Sequence, residues 1–483
     1  MKNRLFYGDC LDVLKKSIED ESIDLVYIDP PFNSKRNYNV LFESIDMTDV
    51  KAQKEAFTDT WSNVKYMDQL AEIQDLNLDL FKFLSTLDSI NLSKGAVSYL
   101  TTMALRIHYM HRKLKSTGSF YLHCDPTMSH YLKIVCDLIF GGKNFRNEIA
   151  WHYRRWTAVS KRFQRMHDVI HFYVKHNPTF NVLYEPYGRW LEKDYKYVDE
   201  DGRRWRWHSP HGIKQKVYLD EPQRGVQMND VWIIPFIGST AKERLGFPTQ
   251  KPEALLERII KASSNEGDLV ADFFCGCGTA VAVAQRLNRR WIGVDISHLA
   301  VRLIYNRVLN AYRRNPSKFR NVKSNIEIDG FPRDVASARE LATSTRKGRM
   351  KFQDWVIEIK LDGVSKDLRR GYDGYVTIYR DAKKKDVVLI EVKSGAAEVE
   401  DIREFVNAVN NENAAMGVFV CFADKVTRQM LIEAQRAGYY DKDVFGTRFP
   451  RVQILTVEDL LDDKSFKHPN PQLFNITFTN LYS

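Results

Sequence analysis

Long apolar runs are missing from this 483-residue chain. No stretch approaches the roughly eighteen residues a membrane-spanning helix needs. The first residues also lack the charged-then-apolar pattern of a secretory signal. Cysteine is scarce: six in the whole chain, without regular spacing, which excludes a disulfide scaffold. Cys275 and Cys277 stand too close together for a zinc knuckle. The phosphate loop Gly-x-x-x-x-Gly-Lys-Ser/Thr is absent, which argues against ATP as a ligand. With it goes any helicase-type motor.

What is present is a basic, core-forming chain. Hydrophobic residues make up 44%, and the length suits two or three domains. Lys and Arg total 72 against 62 acids, a net charge of +10. Such an excess suits a polyanionic partner, or simply a solvated charged surface. Residues 23–28 form an apolar run broken only by Asp24 and read as a buried strand. Asp29-Pro30-Pro31-Phe32 follows. The prolines fix φ and donate no N–H, so their carbonyls are free to accept. A carboxylate, a free carbonyl and an aromatic face together suit a planar group bearing an exocyclic amine. An ordinary strand-ending turn is the plainer reading.

A second motif is Asp272-Phe273-Phe274-Cys275-Gly276-Cys277-Gly278-Thr279. It follows the short strand Leu269-Val270-Ala271 and precedes a helix-like run, 280–287. Strand, Gly-x-Gly turn and helix open a nucleotide-binding βαβ unit, whose helix N-terminus favours a carboxylate or other anion. A second strand, 290–295, ends in Asp295, about twenty residues after the turn, where an acid commonly meets ribose hydroxyls.

Taken in this order, the two motifs resemble the amino-DNA methyltransferases. The catalytic motif precedes the cofactor motif, as in the permuted β group. Residues 118–125, 140–149 and Pro248-Thr249-Gln250-Lys251-Pro252 continue the resemblance, which spans roughly 1–312. It implies S-adenosyl-L-methionine as cofactor and double-stranded DNA as partner. It implies that Asp295 binds the ribose and that Asp9 and Cys10 hold the adenine. Thr249 and Lys251 would face the carboxylate, and Asp272, Phe274, Gly276, Gly278 and Thr279 would shape the methionine pocket. Asp29 and the Pro30 carbonyl would accept from the target amine, beside Pro31, and Phe32 would stack on the flipped base. The Asp-Pro-Pro form resembles enzymes acting on adenine N6 more than cytosine N4. No proline precedes any cysteine, which disfavours cytosine C5 chemistry. The missing apolar run and signal pattern lead to the expectation of a cytoplasmic protein, bacterial, archaeal or phage-encoded.

Between the halves, residues 150–245 hold six of the nine tryptophans, interleaved with arginine, as in Arg203-Arg204-Trp205-Arg206-Trp207. In the resembling family this place holds the target-recognition domain. Most of the tryptophans read as the insert's own small core, and the Arg and Lys cluster as DNA-facing. After 313 a polar stretch reads as a linker to about 350. A third domain begins near 351. There Asp373 opens one strand, and Glu391 and Lys393 share a face of the next. This resembles PD-(D/E)-x-K nucleases of the Mrr type, in which the acids hold Mg2+ and orient water. The residues before Asp373 depart from the motif that names that superfamily.

The expected architecture is therefore α/β. A Rossmann-like methyltransferase (1–149 and 246–312) carries an inserted recognition domain (150–245). A linker (313–350) joins it to an α/β nuclease-like domain (351–483). The expected function is N6-adenine methylation with a restriction-endonuclease-like tail. The alternative is a methyltransferase, N6 or N4, with an inert tail. A homodimer and a separate restriction subunit remain open as further partners.

Overall fold

The computed structural model describes residues 2–31, 63–90, 94–155, 161, 163–186, 193–219, 225–247, 249–332, 334–361, 363–365, 371–379, 385–441, 447–462 and 464–469. Phe32 and Pro248 lie outside them, as does most of the turn at 381–386.

The N-terminal two thirds is built on one nine-stranded sheet. Its strands are β1 (Asn3–Tyr7), β2 (Ile23–Ile28), β3 (Leu114–Cys124), β4 (Phe145–His152) and β5 (His167–Val174). After five short strands outside this sheet, numbered β6 to β10 below, come β11 (Val231–Ile233), β12 (Leu269–Asp272), β13 (Arg290–Asp295) and β14 (Ile326–Asp329). The spatial order is β11-β4-β5-β3-β2-β12-β13-β1-β14. All neighbours run parallel except at β5, which is antiparallel to both β3 and β4.

Helices cover both faces. Cys10–Lys16, Leu78–Ser89, Lys94–Lys113 and Ser129–Phe140 pack on one. Glu253–Ser263, Thr279–Arg286 and His298–Asn310 pack on the other. A parallel strand covered on both sides must be apolar throughout, and all six residues of β2 are buried. Asp24, the interruption in that run, is satisfied by Lys115 Nζ at 2.7 and 2.9 Å and by the Leu269 N–H at 2.9 Å. Two stretches whose apolar spacing in the sequence is helical, 67–87 and 100–114, lie in the helices Asn63–Leu76, Leu78–Ser89 and Lys94–Lys113.

The chain arrives at β2 early and at β12 late, yet the two strands lie side by side. From β2 the chain continues to β3 on one side, and from β12 to β13 on the other. The gap between β2 and β12 is thus the point where strand order reverses, where open α/β sheets hold ligands at the carboxyl ends.

Two expected boundaries move. The segment 150–245 is not separate from the sheet, because β5 and β11 are full members of it. What lies outside is narrower: a three-stranded sheet of β7 (Tyr197–Val198), β8 (Arg204–His208) and β9 (Gln215–Tyr218), and a pair, β6 (Tyr184–Glu185) with β10 (Val226–Gln227). The stretch 313–350 is structured too. It contains a helix, Pro316–Ser324, the edge strand β14, and helices Val335–Thr343 and Arg346–Asp354. Its charge content hid short elements that bury only part of each side chain.

The C-terminal region has its own sheet, β15 (Val364–Ser365), β16 (Gly374–Tyr379), β17 (Lys385–Val392), β18 (Met416–Cys421) and a last strand, Val452–Thr456, in that order. The antiparallel pair β16 and β17 is followed by helix Val399–Asn411, β18, helix Arg428–Arg436 and the last strand. The same order is legible in the sequence, where two strands joined by a charged turn precede helix-like patterns at 401–410 and 427–437 and strand-like runs at 415–422 and 452–456.

Candidate functional site

Four parallel strands, β1, β2, β12 and β13, end at one edge and deliver an acid each. Asp29 follows β2, Asp272 closes β12, Asp295 closes β13, and Asp9 lies two residues past β1. A cavity between the β2 and β12 ends is lined by Tyr27, Asp29, Phe247, Lys251, Asp272 and Gly276, with Thr249, Phe274 and Thr279 completing it. Most of the residues expected to bind cofactor therefore meet in one place. Phe247 and Tyr27 were not anticipated. Phe247 stands just before the Thr249–Lys251 motif, which was the available signal.

The glycine turn needs its glycines. Gly276 has φ +52° and Gly278 φ +73°. A Cβ on Gly278 would lie 2.6 Å from Ile304 Cγ1, and one on Gly276 would press on the Phe247 ring at 3.1 Å. The helix Thr279–Arg286 then starts with its free N–H groups facing the cavity side. Arg307 braces the turn through the Cys277 carbonyl (3.1 Å) and Thr279 Oγ1 (3.2 Å), while paired with Glu253 at 2.8 Å.

Electrostatically the cavity is rich in acid. Burial pushes Asp272 up to about 8, against a hydrogen bond from the Phe274 N–H, and Asp29 and Asp295 push it further. Burial likewise raises Asp295 to about 6, opposed by backbone N–H donors of Ser297 and Gly276. Carboxyl groups raised in this way gain from a neutral ligand that donates hydrogen bonds. Lys251 Nζ is ion-paired with Asp29 Oδ2, both side chains being mostly buried. Among the described lining residues Lys251 is the one cation, and it sits on the acid that opens the Pro-Pro lip. Behind Asp29, His123 is fully buried. It meets Tyr27 Oη at 2.9 Å through Nδ1 and Asp168 Oδ2 at 3.3 Å through Nε2.

Two expected residues are placed differently. Both oxygens of Asp9 receive Arg106 Nη2 at 2.8 Å, and Oδ1 also caps the helix Cys10–Lys16 through the Leu11 N–H. That carboxylate is a structural anchor, and its side chain remains 28% exposed. The Cys10 side chain is buried in the core, its thiol pushed up to about 12 by burial. Pro30 is buried and Pro31 half-buried beside Asp29.

The aromatic segment divides as its neighbours dictate. Trp151 and Trp232 are core residues of β4 and β11, their indole N–H groups bonded to the carbonyls of Ile234 (2.9 Å) and Asn229 (2.8 Å). Trp205 is buried in the small β7-β8-β9 sheet, stacked on Tyr197 and covered by Lys216. Trp207 is 47% exposed, among Arg204, Arg206 and Lys216. Trp156 and Trp190 lie outside the described residues.

In the C-terminal domain the structure brings Asp373, Glu391 and Lys393 together. Asp373 Oδ2 accepts from the Val392 N–H at 2.8 Å. Lys393 Nζ lies 3.2 Å from Glu391 and 3.0 Å from Asp401, a fourth member that sequence reasoning did not single out. Burial raises Glu391 to about 7, with Asp373 adding to the shift and Lys393 opposing it. Among the described residues no three His, Cys, Asp or Glu side chains converge closely enough to hold a metal.

A family model described as DNA methylase, of the N6/N4 type, matches residues 23–306. That is more than half of the chain, and the chain belongs to this family of N6-adenine/N4-cytosine DNA methyltransferases. Residues 345–481 match a model described as NACHT-associated inactive Restriction Endonuclease 1, and the C-terminal region is a restriction-endonuclease-like domain. Among curated proteins, the type II methyltransferase M.HpaI of Haemophilus parainfluenzae is 27% identical over 297 residues, covering 62% of this chain and 71% of its own length. The DNA adenine methyltransferase YhdJ of Escherichia coli K12 is 27% identical over 326 residues, covering 66% and 87%. Among solved structures, the cytosine-N4-specific PvuII DNA methyltransferase overlaps 68% of this chain and 95% of its own, at 17% identity and a TM-score of 0.39.

Proposed function

We propose that the chain transfers a methyl group from S-adenosyl-L-methionine to the N6 amine of adenine in double-stranded DNA, as a permuted, β-group enzyme. The observation that carries this reading is the convergence of Asp29, Lys251 and Asp272 on one cavity at the strand-order reversal, with Asp295 beside it, bonded to the Gly276 N–H. When bound, the cofactor supplies an electrophilic methyl group on a sulfonium. The residues fit it: Asp295 and Asp272 accept from backbone N–H groups and suit hydroxyl and ammonium donors, and the Gly276–Gly278 turn packs so tightly on Phe247 and Ile304 that neither glycine can carry a Cβ without a shift. Lys251 and Thr249 would take the carboxylate. Asp29 and the Pro30 carbonyl would accept from the amine and hold its lone pair toward the methyl group. The Asp-Pro-Pro form and the adenine specificity in YhdJ's name favour N6 over N4. Base-modification sequencing of DNA from a host expressing the chain tests this. N6-methyladenine at a fixed sequence supports it, and N4-methylcytosine overturns the base assignment.

Because Asp295 is raised to about 6 and ribose hydroxyls prefer its ionised form, cofactor binding should tighten as pH rises from about 5 to 7 and release protons near 6. The sign for folding is opposite. A carboxyl raised in the folded state contributes most stability below its unfolded value of about 3.9 and loses it as pH rises toward 6. Calorimetry in two buffers of different ionisation enthalpy reads the proton release. Asp295→Asn should abolish it.

For DNA recognition we propose the region outside the main sheet, residues 184–227, with Arg203, Arg204, Arg206 and Lys216 facing phosphates. For the C-terminal domain we propose a module that grips DNA without cutting, since Lys393 is held between Glu391 and Asp401 and the matching model is one of inactive enzymes. Bifunctional restriction–modification is the second reading, favoured by the presence of Asp373, Glu391 and Lys393 in one cluster. Two carboxylates suffice for a water-rich Mg2+, and Asp373 and Glu391 would be its holders. Incubating unmethylated DNA of diverse sequence with the chain and Mg2+ decides between them. Intact DNA is expected. Cutting that Glu391→Ala abolishes while methylation continues would establish the second reading.

A further inference from the structure

At the ligand edge of the sheet, adjacent strands place an acid, an imidazole and an acid in a row. Ile28 pairs with Leu122, so Asp29 and His123 are the next neighbours across β2 and β3. His123 pairs with Ile170 across β3 and β5, which brings Asp168 to its other side. The contacts follow. His123 Nε2 lies 3.3 Å from Asp168 Oδ2, and Nδ1 lies 2.9 Å from Tyr27 Oη and 4.0 Å from Asp29 Oδ1. Tyr153 Oη donates to the other Asp168 oxygen at 3.0 Å. The Trp151 ring closes the pocket edge-on, with centroids 5.5 Å apart.

A histidine kept only for packing needs one donor site and one acceptor site. With Nε2–H given to Asp168, Nδ1 accepts from Tyr27 Oη at 2.9 Å, and Asp29 Oδ1 stands 4.0 Å from the same nitrogen. Carboxylates flank the ring on both sides, and it is fully buried. A charge placed on that ring would be matched on either side, in a region that water does not reach.

We propose that His123, oriented by Asp168, takes up the proton that methylation of an exocyclic amine releases, with Asp29 as the relay. The proposal rests on the reading of Asp29 as the acceptor of the target amine. Once methylated, the nitrogen is cationic and carries one proton in excess. Its N–H bond breaks with the electron pair returning to nitrogen, and an O–H bond forms on Asp29. That O–H bond then breaks, and an N–H bond forms at His123 Nδ1. Asp29 is again a carboxylate, His123 is an imidazolium between Asp29 and Asp168, and Tyr27 Oη turns its hydrogen away from Nδ1. Release of product opens the site and lets the proton go to solvent. Asp168 suits the task because it stays ionised. Burial would raise it, but His123, Lys251 and Tyr153 together hold it at about 2.

The groups that face His123 are Tyr27 and Asp29 from β2, Asp168 from β5 and Tyr153 beyond β4, with Lys251 paired to Asp29. His123 and Asp168 act through Asp29, so they are positioning and proton-accepting residues behind the catalytic one. The test compares the full chain with His123→Gln, Asp168→Asn and Tyr153→Phe. Cofactor binding is measured calorimetrically, and single-turnover methylation of duplex DNA is followed across pH. Glutamine can hold the hydrogen bonds but not the proton. His123→Gln should lower the rate about 10²-fold, the usual scale of proton-transfer assistance, with cofactor affinity unchanged. Asp168→Asn removes one flanking charge and should move the acid limb of the rate profile to lower pH. Tyr153→Phe removes a hydrogen bond to Asp168, should move that limb the other way, and serves if the buried variants fail to fold. Wild-type rates and acid limbs in these variants, with Asp29→Ala inactive, would overturn the relay and leave the methyltransferase reading standing. Methylation surviving Asp29→Ala would overturn both.

Discussion

Asp29→Ala is expected to lower methyl transfer by about 10³-fold or more, the scale on which a single preorganised electrostatic group acts at a reacting centre. Binding of duplex DNA should be largely unchanged, because the proposed phosphate contacts lie in the β7-β8-β9 region rather than at the lip. Single-turnover methylation and a gel-shift titration read the two quantities separately. Asp29→Asn sharpens the test. It keeps the shape and one accepting oxygen but removes the charge, so it should retain more activity than alanine while still falling well below wild type. Both variants also remove the Asp29 carboxylate from Lys251. If Lys251 takes the cofactor carboxylate, Asp29→Ala should bind cofactor at least as well as wild type, because Asp29 no longer competes for the ammonium. A variant with full activity would remove Asp29 from the chemistry altogether.

The second large effect falls on stability. Arg106 is buried, with only 3% of its side chain exposed, and its charge is matched by both oxygens of Asp9 at 2.8 Å. Asp9→Ala leaves that guanidinium without its carboxylate and strips the cap from the helix Cys10–Lys16. Breaking a buried pair from one side costs about 3–5 kcal/mol, and Asp9's partial exposure places the loss near the lower end. For a unit of this size that is a fall of roughly 10 °C in the midpoint of the methyltransferase unfolding transition. Thermal unfolding followed by circular dichroism reads it. The double variant Asp9→Asn with Arg106→Met should lose less than Asp9→Ala alone, since it buries no unmatched charge. A midpoint within a degree or two of wild type for Asp9→Ala would refute the anchoring role.

These two acids show where sequence reading succeeds and where it stops. Asp29, Asp272 and Asp295 are legible because each ends an apolar strand and each sits in a local motif. Parallel strands then carry them to one edge without further information. Asp9 lies two residues past a strand, and the resemblance placed it in the ligand site. What diverts it is Arg106, 97 positions away on a helix whose packing face could be read but whose buried guanidinium could not. His123 and Asp168 were equally out of reach, because they meet only after β5 returns antiparallel against β3. The recognition segment was drawn too wide for a related reason. The edge of a sheet is a tertiary fact, and β5 and β11 look from sequence like parts of the aromatic stretch that surrounds them. In the C-terminal domain the strand and helix order followed from hydrophobic alternation alone. The partner Asp401 did not, since it reaches Lys393 from the first turn of the next helix.

The strand β14 carries a further consequence. It pairs with β1 from Asn3 to Phe6, and just beyond it the Phe331 ring stacks on Tyr7 with centroids 4.7 Å apart. Gly330 passes so close to the Tyr7 carbonyl that a Cβ there would lie 2.0 Å from its oxygen. The polar tract after 313 therefore seals the sheet with a segment that any cut at that point would discard. A fragment ending near 312 would leave one side of β1 with unmatched amides and carbonyls, open to a strand from another molecule. The methyltransferase is a separable unit only when its last strand, through Phe331, travels with it.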